Sequence, residues 1–153
     1  MGIACIFAEF NKVEEAVEIL RKLKDASPNH LQRPSITINL AHLNMVLKNY
    51  ESAINLYTIS LEKFPSGHGD LETELYLAKA YFMNEQFDHC HKRLKDLVHR
   101  YPNDVRIRFD LAICLYEQAQ KIFNKEFRRV YDTNYAISCL KESQILMNFV
   151  RTQ

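Results

Sequence analysis

The sequence predicts an all-α protein built as a solenoid of stacked helix pairs. Three observations predict it. The chain has 153 residues but only three glycines and four prolines, and strong helix formers dominate it. Small and apolar residues recur at helical spacing, as in Ala16, Leu20 and Leu23. The pattern then returns along the chain. Ala16, Ala53 and Cys90 stand 37 residues apart, as do Pro28, Pro65 and Pro102, and as do Ala4, Ala41 and Ala78.

One unit carries the pattern most fully. In the run Leu77-Ala78-Lys79-Ala80-Tyr81-Phe82, Ala78 lets a first helix approach its partner, and Tyr81 and Phe87 fill the space between the two. Cys90 is a second small residue twelve positions after Ala78, and Pro102 closes the unit twelve positions later. This is the spacing of the tetratricopeptide (TPR) repeat, which is about 34 residues long. The step from Ala78 to Ala112 is 34, so each of the first two linkers carries three extra residues. The expected fold is a TPR superhelical solenoid of about four repeats forming a single array over residues 1–153.

The units are expected over residues 1–30, 35–66, 70–102 and 104–150. In the first, residues 2–8 read as the end of a helix, Asn11 as a turn and residues 13–25 as the second helix. The second opens at Ser35, a candidate N-cap, turns at Asn49-Tyr50 and ends at Phe64-Pro65. Asp70 is the candidate cap of the third, after the loop Ser66–Gly69. In the fourth, Asn103-Asp104 caps a helix through Leu111, Ala112 and Leu115 that runs on past Ala119. The next small inward residue, Ala136, comes 24 positions after Ala112 instead of twelve. Both helices of this pair are therefore expected to be long, with a break near Asn124–Phe127 and a second helix from about Arg129 to Phe149. A TPR unit buries its apolar face only by stacking on neighbours, so the chain is read as a segment of a longer array with apolar surface at its ends.

Composition narrows the function. The chain is 47% hydrophobic and 25% charged with a formal net charge of +1, an ordinary soluble balance. The charge is uneven: residues 1–75 carry 7 Lys/Arg against 10 Asp/Glu, and residues 76–153 carry 13 against 9. The basic half hints at an acidic partner. Cys5, Cys90, Cys114 and Cys139 form no CxxC and fall on apolar helix positions, as reduced buried thiols of a cytosolic or nuclear protein would. No apolar run reaches about 18 residues, so no membrane span is expected. No motif of nucleophilic, phosphate-binding or metal chemistry is present, and neither an enzyme nor a cofactor is expected. His89-Cys90-His91 is the nearest approach to a metal site, but adjacent helical residues diverge by about 100° and cannot converge on one ion.

The expected activity is binding. TPR arrays present their first helices on a concave face. The groove positions fall on Cys5 and Ala8, then Ile38, His42, Met45 and Val46, then Glu72, Leu75, Lys79, Phe82 and Met83, and finally Arg106, Phe109, Ile113, Tyr116 and Glu117. This mostly apolar set suits an extended or helical hydrophobic segment, although such stripes also serve as packing between neighbouring helices. A carboxylate clamp is not expected. Asn39 occupies one clamp position, but Cys5, Glu72 and Tyr76 stand where Asn, Lys and Arg are needed. Lys92, Arg93, Arg100, Arg106 and Arg108, with Arg128 and Arg129 further on, make two basic regions. They read either as solvated helix faces or as contacts for an acidic segment or nucleic acid.

The runs GIACIFAEFNKVEEA, NLAHLNMVLKNYESAINLYTISLEKF, ELYLAKAYFMNEQFDHC and IRFDLAICLYEQAQKI occur in this order, followed by the lengthened pair. Together they resemble the C-terminal TPR region of the Ctr9 family, the large TPR subunit of the RNA polymerase II-associated factor (PAF) complex. The resemblance implies a nuclear scaffold whose partners are other subunits of that complex and RNA polymerase II, acting in transcription elongation and co-transcriptional histone modification. It carries over no individual contact residue. Asn11 stands where the family's first turn has glycine. The alternatives are a TPR adaptor of another assembly, such as a ubiquitin-ligase or trafficking complex, and a nucleic-acid-binding module using the basic half.

Overall fold

The computed structural model describes residues 12–26, 34–63 and 71–152. Among them are seven α-helices and no strand: α1 Val13–Ala26, α2 Pro34–Val46, α3 Tyr50–Lys63, α4 Leu71–Met83, α5 Phe87–Arg100, α6 Val105–Phe123 and α7 Val130–Arg151. The expectations for Ala4, Cys5, Ala8, Asn11, Pro28, Phe64-Pro65 and Ser66–Asp70 lie outside the described residues. The chain divides into two compact units, residues 1–84 and 85–153.

In the first unit α1 packs on α2, α2 on α3 and α3 on α4. The residues that repeat in the sequence are the ones that fill its core: Ala16, Leu20, Leu40, Ala41, Ala53, Tyr57 and Leu77 are all buried. The alanines permit close approach of the helix axes, and the larger chains occupy what remains. Burying each Leu contributes about 1.5–3 kcal/mol. Helix α2 begins at Pro34, so Ser35 lies inside the first turn and does not precede the helix as expected. Proline suits that place because its fixed φ matches the helix and the missing N–H has no intrahelical acceptor there.

The turn between α2 and α3 is a Schellman motif. The Asn49 N–H donates to the Asn44 carbonyl at 2.8 Å and the Lys48 N–H to the Met45 carbonyl at 3.1 Å. Lys48 takes the left-handed conformation this requires, with φ 60°. The helix resumes at Tyr50, so the chain reverses at Leu47–Asn49, slightly before the expected turn at Asn49-Tyr50.

In the second unit α5 packs on α6 and α6 on α7. Its core is Cys90, Leu94, Leu97, Ile107, Leu111, Ala112, Cys114, Leu115, Ala119, Ala136 and Cys139. Asp104 caps α6, accepting the Arg106 N–H at 2.9 Å. Helices α6 and α7 have 19 and 22 residues, against 13 and 14 in α4 and α5. The chain breaks between Phe123 and Val130, and α7 starts one residue after the expected Arg129 and ends two after Phe149.

Candidate protein-binding surfaces

On α2, His42 sits inside an aromatic cluster. Its Nδ1 is 2.6 Å from the Tyr57 hydroxyl. Its ring stands edge-on to Tyr76 at 4.3 Å, and Tyr57 and Tyr76 lie nearly parallel at 6.1 Å. Burial holds the imidazole below the usual histidine pKa, opposed by the weaker pull of Glu72, and burial raises the Tyr57 hydroxyl. Neutral His42 therefore ties α2 to α3 and α4. Ile38 and Met45 also rest against the buried core, which leaves Val46, 63% exposed, as the open apolar residue among the described side chains of this helix.

On α4, Leu75 and Phe82 are half-buried, while Glu72, Lys79 and Met83 are exposed. On α6, Phe109, Ile113 and Tyr116 follow at i, i+4 and i+7 and form one stripe. Phe109 and Tyr116 are exposed and Ile113 is half-buried between them. The Tyr116 hydroxyl accepts a hydrogen bond from Gln120 at 2.6 Å, which orients the ring. The candidate residues thus differ by helix: those of α2 apart from Val46 are drawn into packing, and those of α4 and α6 present apolar surface edged with charge.

The basic candidates are partly engaged. Arg106 pairs with Asp104 at 2.8 Å, and that hydrogen-bonded partner lowers the Asp104 pKa. Arg108 donates from Nε to the Pro102 carbonyl at 3.1 Å and covers the Phe149 ring at 4.0 Å. Arg100 lies over Tyr101 at 5.9 Å and Arg128 over Phe123 at 5.8 Å. Lys92 and Arg129 are exposed and Arg93 is half-buried.

Two features escaped the sequence. Buried Gln118 donates to Asp88 at 2.6 Å and to the Tyr135 hydroxyl at 3.1 Å, joining α5, α6 and α7. Burial, followed by the neighbouring Cys139, pushes Tyr135 up to about 12. The only signal was a polar residue on the inward side of a helical stripe. The second is a set of open apolar side chains, Phe127, Val130 and Tyr131, set among the cations of the α6–α7 loop. Its signal was aromatics interleaved with arginines in Phe127-Arg128-Arg129-Val130-Tyr131.

The cysteines are packing residues. The Cys114 neighbour, then burial, raises the Cys90 thiol, and burial raises Cys139. His89 is exposed while Cys90 is buried, so the His-Cys-His run points in different directions, and the described residues contain no cluster of three metal-ligating side chains. No helix among them is long and apolar enough to cross a membrane.

No family model matches the chain. Curated proteins do. It is 27% identical over 129 residues to Protein CTR9 homolog of Arabidopsis thaliana, a match covering 83% of this chain. It is 20% identical over 149 residues, or 97% of the chain, to RNA polymerase-associated protein CTR9 of Caenorhabditis elegans. The chain is similar to CTR9 proteins. The Saccharomyces cerevisiae protein of that name is 40% identical over 63 residues, 41% of this chain and 6% of its own. The resemblance carried by the ordered repeat runs is borne out by these relatives. The chain spans only 12% and 13% of the lengths of the plant and nematode proteins.

Solved structures agree on the fold. A kinesin light chain protein of Podosopora anserina with TPR-like repeats matches with a TM-score of 0.67 at 18% identity, over 98% of this chain and 73% of its own. MamA of Desulfovibrio magneticus RS-1 matches with a TM-score of 0.66 at 14% identity, over 95% and 72%. The expected all-α TPR class is borne out.

Proposed function

We propose that this chain is a non-enzymatic protein-binding scaffold, a TPR segment of the large subunit of the RNA polymerase II-associated factor complex. It would act in the nucleus, in transcription elongation and co-transcriptional histone modification. The observation that carries the proposal is the similarity to CTR9 proteins of a plant, a nematode and a yeast. Preformed helix faces hold a partner segment, and nothing need react. The open apolar residues Met83, Phe109 and Tyr116, with Leu75, Lys79, Phe82 and Ile113 beside them, supply such faces on α4 and α6. Ile38, His42 and Met45 contribute by shaping α2 rather than by direct contact. The partners are subunits of the complex and the polymerase itself.

The nucleic-acid alternative is weaker, because Arg106 is paired with a carboxylate and Arg108 is stacked on Phe149. Affinity purification of the tagged chain from nuclear extract, with mass spectrometry, tests the proposal. Recovery of polymerase-associated subunits, reduced by a combined Phe109→Ala and Tyr116→Ala change, is the expected result. Recovery of a ubiquitin-ligase or trafficking assembly instead would leave the fold standing and remove the nuclear assignment.

A further inference from the structure

We draw no further inference here: the strongest candidate, the apolar stripe of Phe109, Ile113 and Tyr116 on α6, belongs to the surface already described, and with Asp110 and Glu117 set between Arg106 and Lys121 along its edge nothing in the structure shows what covers it.

Discussion

Lys48 and Glu85 stand 37 positions apart and share a left-handed backbone, with φ 60° and 56°. Each follows the last turn of the first helix of its pair, α2 or α4. The corresponding residue of the last pair is Ala119, seven positions after Ala112 as Lys48 is after Ala41, and there the helix simply continues. A left-handed residue ends two helices, and an alanine at the same register prolongs the third.

Left-handed backbone costs a residue with a side chain roughly 1–2 kcal/mol. Glycine removes that cost but gives back part of the gain through a freer unfolded chain. Lys48→Gly and Glu85→Gly should therefore each stabilise the protein by about 0.5–1 kcal/mol. Glu85 also pairs with Lys121 at 2.9 Å, but both side chains are exposed and the loss is small. Urea unfolding checks this, and a fall in the midpoint for both variants would show that the side chains matter more than the backbone.

The Tyr57 hydroxyl is the hydrogen-bonding partner of His42 in an otherwise aromatic cluster. Tyr57→Phe keeps the ring packing and strands the imidazole nitrogen, so it should cost about 1–2 kcal/mol. His42→Phe removes the polar partner as well and should cost less when combined with Tyr57→Phe than the two changes cost separately. A double-mutant cycle by thermal unfolding measures that coupling.

Stability should depend on pH through the same residue. The unfolded chain takes up the His42 proton near the usual value of 6.5, and the folded chain only at lower pH because of burial. The unfolded state thus binds more protons below that value. Stability is level above pH 6.5 and falls as pH drops through it toward the depressed folded pKa. His91, also depressed by burial, adds to the same slope in the second unit. His42→Gln should flatten the part of the pH dependence belonging to the first unit, read as melting temperature against pH.

Gln118 holds three helices through one side-chain amide. Gln118→Ala opens a cavity and leaves Asp88 and Tyr135 without that donor, at a cost of about 2–3 kcal/mol. Gln118→Glu places a carboxylate beside Asp88 and should cost more. Hydrogen exchange should show the loss in α5 and α7 together. Protection lost in α6 alone would mean that the amide does not couple the helices.

Tyr116 is exposed where Leu115 beside it is wholly buried. Tyr116→Ala should therefore change stability by less than about 0.5 kcal/mol, whereas Leu115→Ala should cost about 2–5 kcal/mol. Phe82 is half-buried, and Phe82→Ala should fall between them. Thermal unfolding of the three variants separates groove residues from core.

The helix pairs, their spacing and the long last pair were legible in residue order alone. Periodicity is a local property, and small residues at a fixed interval dictate where helices can touch. Ala41, Ala53, Cys90, Ala112 and Ala136 are buried as that rule requires. The candidate surfaces were legible only in part, because a side chain's role depends on what distant segments bring to it. Tertiary packing turned His42 from a groove position into a member of an aromatic cluster, laid Arg108 over Phe149 and gave the inward Gln118 its two partners. It also decided which side of α7 is covered. The sequence places Val130, Ile137 and Ile145 on one side, among Asn134, Lys141 and Asn148, and Ala136, Cys139 and Ser143 on the other. Close approach to α6 favours the side with the small residues, and so the mixed side of aliphatic and polar residues faces solvent.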